Sequence, residues 1–473
     1  MIWDFERYEQ AIALADEYGT EVSYRQLKES ADEIAAVIGR RCLVFCLCKN
    51  TIGSFLGYLS FVNQKMVPLM LSSQLEEGLL DQLMEIYQPA YLWVPIEQEE
   101  CFEGMKKVYE AYSYVLLKTS AQREFALYEE LGLLLTTSGS TGSPKLVRQS
   151  YENIIENAKA IATYLELDQT ERPITTLPMN YTYGLSIIHS HLLVGATLLI
   201  TEKTMMQREF WTFLKEAHAT SFGGVPYTYE ILDKMRFTRM NLPDFRTMTQ
   251  AGGKLTPMLH EKFAKWASEQ GKKFIVMYGQ CEATARMGYL PADLAVKKKG
   301  SMGIAIPGGR FRLMDAMGQE ITTPYTTGEL VYEGKNVTLG YAECGTDLIK
   351  ADERHGVLMT GDMAQYDEDG CYYIVGRKKR FLKIYGNRVN LDEIDRMIKE
   401  RFGNIDCASA GVDDHMYIFV TDSSWEVPVK EFVVEKTKLN HAAFTVVCIE
   451  TIPKNDSGKT QYHELEKYYK KKD

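Results

Sequence analysis

"LLLTTSGSTGSPKLVRQS", Leu133–Ser150, sets an apolar run against hydroxyls and glycines and closes on Pro144 and Lys145. The apolar part reads as a strand, and a helix is expected from about Tyr151. Between them, Thr136, Thr137, Ser138, Ser140, Thr141 and Ser143 offer hydroxyls, and Gly139 and Gly142 let backbone N–H groups turn toward an anion. Lys145 adds a positive charge. A flexible linker has a similar composition, but a linker is not expected between a strand and a helix. The stretch therefore reads as a phosphate-holding loop. It is not the mononucleotide loop Gly-x-x-x-x-Gly-Lys-Ser/Thr, because Lys145 follows Pro144 and precedes Leu146.

The rest of the chain frames that loop. Its 473 residues exceed what one compact core serves, so at least two domains are expected. Hydrophobic residues make up 45% and charged residues 25%, a globular profile, and the formal charge of −10 gives no reason to expect nucleic acid or an anionic membrane as partner. The lysine runs Lys297 to Lys299 and Lys470 to Lys472 read as solvated surface. "MIWDFERYEQ" at the start lacks the basic and apolar regions of a secretion signal, and no apolar run reaches the roughly 20 residues of a membrane span. Nine scattered cysteines fit a reducing compartment. Cys42, Cys46 and Cys48 read as part of a buried strand rather than a metal site, and His189 and His191, in an apolar segment, read as structural. The expectation is a cytoplasmic protein without a bound transition metal.

Up to about Thr201 short apolar runs ("CLVFCLC", "MVPLML", "AYLWVP", "LGLLLTT", "GATLLIT") alternate with amphipathic stretches ("SYRQLKESADEIAAVIG", "LEEGLLDQLMEIY"). Such alternation predicts α/β layering with largely parallel strands, and it resumes at "ATSFGGVP", "RTMTQAGG" and "KKFIVMYGQ". From about Gly300, strands joined by turn residues suggest hairpins or a small barrel. The last hundred or so residues mix helices with strands. The expected fold is α/β, with a large N-terminal domain of layered α/β subdomains and a small β-barrel over residues 1–378. A small, mobile α+β domain is expected over 379–473.

Further motifs carry chemistry. In "MYGQCEAT", Tyr278 offers a π-face, Gly279 allows close approach, and Glu282 offers oxygen to a hard cation such as Mg2+. A strand end with an ordinary surface glutamate would read the same. "TQAGGKL" puts small residues, Ala251, Gly252 and Gly253, where backbone can face a ligand, though a tight turn explains it equally well. In "MTGDMAQYDEDGCYYIVGRKKRFLKIYGNRVNLDEID", Asp362 can accept two hydrogen bonds from a diol, or merely cap a turn. "PKNDSGKTQY" places Lys459 after Gly458 in a turn-rich stretch.

Taken in order, these motifs resemble the signatures of the adenylate-forming ligases, the superfamily of acyl- and aryl-CoA synthetases, luciferases and non-ribosomal peptide synthetase adenylation domains. The resemblance covers most of the chain from Leu133 onward. It implies that Thr137, Ser138, Gly139, Ser140, Thr141, Gly142 and Lys145 hold ATP phosphates, and that Gly252 and Gly253 border adenine. It also implies that Tyr278 with Gly279 stacks on the base, and that Glu282 helps hold magnesium. Cys281 replaces the family's threonine, a phosphate binder; a thiol is a weaker donor, so phosphate either goes without this donor or takes another such as Thr284. Asp362 and Arg377 would meet the ribose. Lys379 would be the hinge that brings up the segment Lys383 to Asn390. Lys459 would bridge the substrate carboxylate and the α-phosphate.

The implied reaction joins a carboxylic acid to AMP with release of pyrophosphate, then passes the acyl group to the thiol of CoA or of a carrier-protein phosphopantetheine. "LPMNYTYGLS" resembles the "LPxFHxYG" form of CoA ligases, with Tyr181 where a histidine or another aromatic usually sits. Amino-acid-activating relatives carry an aspartate nearby to pair with the substrate ammonium. No acidic residue lies between Pro178 and Thr201, and a buried ammonium without a carboxylate is costly, so an α-amino acid is disfavoured. Tyr181, Thr182, Tyr183, Tyr227, Gln250 and Ala251 are the candidate acid pocket. The alternatives are a stand-alone amino-acid–carrier-protein ligase, an ATP-dependent phosphotransferase and a non-catalytic nucleotide-binding protein.

Overall fold

The computed structural model describes residues 2–136, 145–403, 405–454 and 460–469. They divide into two compact units, one of residues up to 136, 145–311 and 332–358, the other of 312–331 and 359–469. The expected break at 378/379 lies inside the second unit.

An eight-stranded sheet anchors the first unit. It runs from Gly340–Ala342 through Leu146–Ser150, Leu131–Thr136, Val67–Ser72, Leu43–Cys48, Tyr91–Pro95 and Tyr114–Lys118 to Lys106–Ala111. The four strands Leu131–Thr136 to Tyr91–Pro95 are parallel and their neighbours outward pair antiparallel. Leu43–Cys48 is apolar throughout because both its faces are covered. Val44, Cys46 and Cys48 pack with Phe61 and Trp93, while Leu43, Phe45 and Leu47 pack with Leu83 and Leu117. Burial pushes the Cys48 thiol up to about 12. A second sheet sets Ser221–Gly224, Thr247–Gln250 and Lys273–Tyr278 in parallel and ends in the antiparallel pieces Gly288–Tyr289 and Ile304–Ala305.

The helix at Tyr151 is present, Tyr151–Leu165, started by a reciprocal cap between Ser150 and Asn153. One expectation needs correcting. The hydroxyl-rich loop does not run from strand into helix: Leu146–Ser150 is a strand that returns antiparallel beside Leu131–Thr136. The apolar pair Leu146 and Val147 is buried on that return, a signal too short to read beside the loop.

In the second unit, Val357–Tyr366 pairs with Tyr372–Arg377, opposing Asp362 to Arg377. These strands belong to a four-stranded sheet, the hairpin-rich stretch expected from about Gly300. Beyond it, Phe381–Ile384 and Asn387–Asn390 form a hairpin whose two turn residues, Tyr385 and Gly386, both have positive φ (49° and 83°). Helix Leu391–Arg401 and a three-stranded sheet enclose a core of Ile384, Ile394, Ile398, Ile418 and Val429. The Arg380 guanidinium meets Asp392 at 2.8 Å and Asp395 at 2.9 Å and lies 3.7 Å from the Tyr462 ring centre, which fixes the entry to the hairpin.

Candidate functional site

The first unit joins two of the sequence's motifs. Pairing of Gly340–Ala342 with Leu146–Ser150 sets Tyr341 opposite Val147, two residues from Lys145. The Lys145 ammonium then lies 3.8 Å from the Tyr341 ring centre and 3.5 Å from the Glu343 carboxylate, and the Arg354 guanidinium lies 4.6 Å from the same ring centre. The Tyr341 hydroxyl donates to the Glu282 carboxylate at 2.7 Å. Burial, and then Glu282, push that phenol up to about 12, so it stays protonated and remains a donor at neutral pH. Glu282 is anchored through its main chain too: its carbonyl accepts from the Thr338 amide, the Thr338 hydroxyl and Arg354 Nη1, each at 3.0 Å. The lysine expected at the phosphates and the carboxylate expected at the metal are thus tied to one phenol.

Arg148 holds the strand that carries this phenol. Its buried guanidinium donates to the carbonyls of Tyr341 (3.0 Å), Leu339 (3.2 Å), Ala351 (3.3 Å) and Lys350, and to the Glu353 carboxylate at 2.5 Å. Burial draws its pKa below the usual guanidinium value even so.

The loop after Tyr278 is built by close approach. Tyr278 is half-buried with its ring 6.3 Å from that of Phe311, and a Cβ on Gly279 would lie 1.7 Å from the Ala285 carbonyl oxygen. Only glycine fits there. Thr284 takes positive φ (64°) and its hydroxyl donates to the Asn336 carbonyl at 2.7 Å, while its own carbonyl accepts from the Thr182 hydroxyl. Thr284 is 3% exposed. Its hydroxyl is spent on holding the loop, which corrects the expectation that Thr284 serves phosphate in place of the threonine that Cys281 replaces.

Of the expected acid pocket, the structure brings together five residues. The rings of Tyr181 and Tyr183 meet edge to face at 6.3 Å, and a Cβ on Gly252 would come within 2.8 Å of the Tyr181 hydroxyl. Burial, then Cys281 and Tyr183, raise the Tyr181 phenol above its ordinary range. The Tyr183 hydroxyl shares a 2.7 Å hydrogen bond with Thr249. Ala251 and Tyr183 belong to one buried cluster, and Thr182 starts the helix Thr182–Leu193. Gln250 corrects its assignment in part. It is fully buried, and its amide nitrogen donates to the carbonyls of Ala251 (3.1 Å) and Gly253 (2.8 Å), so it braces the turn. Tyr227 is 59% exposed on the first turn of Pro226–Lys234 and makes no ring contact among the described residues, which removes it from this group. It sits at a helix start, where side chains point outward as readily as in.

In the second unit Asp362 is 6% exposed and its carboxylate lies 3.6 Å from Arg377 Nε. Lys379 is exposed, between the strands Tyr372–Arg377 and Phe381–Ile384. Thr137, Ser138, Gly139, Ser140, Thr141, Gly142 and Lys459 lie outside the described residues. Sequence reading missed Tyr341, Arg354 and Arg148, whose importance comes from strand pairing and from no local motif.

The donor set suits Mg2+ held largely by phosphate. No group of three or more His, Cys, Asp or Glu gathers among the described residues, as a dedicated cage would require. Glu282 offers one carboxylate without a Lys or Arg partner among them. One carboxylate plus phosphate oxygens is how magnesium is commonly bound in nucleotide enzymes. A cavity of about 410 Å3 lined by Arg41, Tyr87, Gln88, Glu124 and Phe125 lies at the N-terminal ends of the parallel strands Leu43–Cys48 and Tyr91–Pro95, away from these groups. Ligands of α/β sheets gather at the opposite, carboxyl ends.

Residues 3–342 match the family model of AMP-binding enzymes, and the chain belongs to that family. Among curated relatives it is 25% identical over 347 residues to 2-succinylbenzoate–CoA ligase of Bacillus pumilus, covering 70% of this chain and 68% of that one. It is 28% identical over 371 residues to 4-hydroxybutyrate–CoA ligase 1 of Metallosphaera sedula, covering 74% and 64%. Oxalate–CoA ligase of Arabidopsis thaliana is 27% identical over 343 residues, covering 70% and 66%. The match thus spans about two thirds of the relatives' lengths. In fold the chain is similar to o-succinylbenzoate CoA synthetase of Bacillus subtilis in complex with its acyl-adenylate (TM-score 0.77, 19% identity, 98% and 97% of the two chains). It is also similar to ATP-bound MatB of Rhodopseudomonas palustris (0.79, 21%, 99% and 98%). The α/β architecture expected from the alternating pattern is the one these enzymes share. No helix among the described residues is long and apolar enough to cross a membrane.

Proposed function

We propose that the protein activates a small carboxylic acid with ATP, releasing pyrophosphate, and passes the acyl group from the adenylate to the thiol of CoA. The observation that carries this reading is the Lys145–Tyr341–Glu282 chain of contacts in a member of the AMP-binding enzyme family. An acid must be activated because oxide is no leaving group. Attack of its oxygen on the α-phosphorus of ATP makes AMP the leaving group of the second step. Negative charge grows on phosphoryl oxygens as pyrophosphate departs, and preorganised cations and donors lower that barrier. Lys145 steadies the outer phosphates. Glu282, aimed by Tyr341, would hold Mg2+, which supplies charge to the phosphate oxygens when bound.

Tyr278 offers the adenine a stacking face, and Asp362 with Arg377 takes the ribose. Lys459 meets the substrate carboxylate and the α-phosphate during adenylation, and a turn at Lys379 accompanies the second half-reaction. Tyr181, Thr182 and Tyr183 line the acid. The absence of a carboxylate from this part of the sequence speaks against an α-amino acid. The relatives named above act on CoA, which favours CoA over a carrier-bound thiol. The test is ATP–pyrophosphate exchange over a panel of carboxylic and amino acids, followed by thioester formation with CoA. Stimulation by amino acids alone would favour a carrier-protein ligase, and release of ADP without AMP would overturn the reading.

A further inference from the structure

Arg286 is 2% exposed, and no carboxylate pairs with it among the described residues. It follows the Tyr278–Glu282 loop and enters a polar seam between the helices Tyr151–Leu165 and Thr182–Leu193. Its Nε donates to the Ser186 hydroxyl at 3.0 Å, its Nη1 to the Tyr164 hydroxyl at 3.0 Å, and its Cζ lies 5.2 Å from the Tyr183 ring centre. Its carbonyl accepts from Asn157 at 2.8 Å and from Asn336 at 3.1 Å, so the backbone is clamped. Nη2 is buried and has no partner among the described residues.

The other titratable groups facing the guanidinium are neutral. Burial raises the Tyr164 phenol and pushes the Tyr183 phenol up to about 12. His191 is on the same helix as Tyr183. Its Nδ1 bonds the Ile187 carbonyl at 2.8 Å, and burial, with Arg286 adding to it, lowers the ring to about 4. Its Nε2 is a second buried atom without a partner among the described residues. The seam therefore holds one positive charge and, among the described residues, no counter-charge. An unpaired buried ion costs several kcal/mol in general, and two neutral hydroxyl acceptors with one aromatic ring offset that only in part. Yet Arg286 touches Tyr183, a wall of the proposed acid site, and Ser186 lies one helical turn, about 5 Å, beyond Thr182.

We propose that Arg286 is a specificity-determining residue that receives a second carboxylate at the far end of the acid substrate, so that the protein activates short dicarboxylic acids. This deepens the reading above and rests on it. A hydroxyl on the substrate could fill the orphan Nη2 hydrogen bond, but the charge would stay uncompensated. A carboxylate does both, and a guanidinium presents N–H groups in the geometry a carboxylate accepts.

The test is ATP–pyrophosphate exchange with the wild-type protein on chain-matched sets of about three to six carbons, a span comparable to one helical turn. Each set holds a dicarboxylate, its monomethyl ester, the ω-hydroxy acid and the plain monoacid. In the best set the dicarboxylate is expected to exceed the ester and the monoacid by ~100-fold or more in kcat/KM, carried mainly by KM. Arg286→Met should lower the dicarboxylate to the monoacid's level and leave the monoacid within a few-fold, while Arg286→Lys should restore part of the preference. A merely structural arginine would instead lower every acid alike. If Arg286→Met fails to fold, the wild-type panel decides by itself. Exchange with monoacids or hydroxy acids that equals or exceeds the dicarboxylates overturns the Arg286 assignment and leaves adenylation standing. Exchange with no acid at all overturns adenylation and this proposal with it.

Discussion

Replacing Tyr341 by phenylalanine removes one oxygen atom and keeps the ring. The interaction removed is the 2.7 Å hydrogen bond to the Glu282 carboxylate. A hydrogen bond to a charged group contributes about 1.5–3 kcal/mol in general. Both partners here are half-buried, so water can take the place of the phenol in part, and the lower end applies. About 1.4 kcal/mol corresponds to roughly tenfold in an equilibrium constant. Since Lys145 and Arg354 keep their ring, the effect falls mainly on Glu282, the larger of the hydroxyl's two charged neighbours in its influence on the phenol. The expected result is a rise of ~10-fold in the magnesium concentration for half-maximal pyrophosphate exchange, with the KM for the acid unchanged. Tyr341→Leu removes the platform as well, at a further ~0.5–1 kcal/mol for each cation that leaves the ring, so the KM for ATP should rise in that variant. Glu282→Gln is the control for removal of the carboxylate. A magnesium titration of Tyr341→Phe that overlays the wild type, while that of Glu282→Gln shifts, would refute the view that the phenol aims the carboxylate.

Other changes test other parts of the framework. Gly279→Ala places a carbon 1.7 Å from a backbone oxygen that cannot withdraw without moving the Glu282 loop; exchange activity should fall by ~100-fold or more, beyond any loss of folded protein seen by thermal melting. Arg148→Met leaves several strand carbonyls without their donor, while the half-exposed Glu353 carboxylate turns to water; leaving buried acceptors unsatisfied costs ~1–3 kcal/mol, which should appear as a lower Tm and weaker ATP binding together. His189 and His191 are lowered by burial to about 3 and about 4 from an ordinary 6.5. A depressed folded value makes their contribution full above the unfolded pKa and lost as the pH falls toward the folded one. Each should therefore cost ~2 kcal/mol between about pH 7 and pH 5, and a His189→Leu variant should show a shallower fall of Tm with acid. Lys459→Ala should abolish acyl-AMP formation while ATP still binds by calorimetry; undiminished adenylation would remove the role proposed for it.

Much of the site was legible because its chemistry is local. Lys145 behind a glycine- and hydroxyl-rich loop, and Glu282 just after Tyr278 and Gly279, announce themselves by residue type and spacing. The strands also showed themselves, since Leu43–Cys48 must be apolar at every position to be covered on both faces. Thr284 misleads for the same reason that it is noticeable. A threonine near Glu282 looks available in the sequence, and only the Asn336 carbonyl, 52 residues away, takes its hydroxyl.

What the chain determined by itself was the kind of groups present and the elements that carry them: a stretch rich in hydroxyls and glycines after a sheet strand, a carboxylate after a glycine, and the tyrosines of the candidate acid pocket. Tertiary structure decided the partners. Tyr341 is 59 residues from Glu282 and reaches it because Gly340–Ala342 adds to the edge of the eight-stranded sheet beside Leu146–Ser150. Arg286 lies in an ordinary-looking string, and only folding between two helices strips it of water and leaves it without a counter-ion among the described residues. Residue type and spacing travel along the chain, whereas burial and pairing depend on contacts between segments far apart in it.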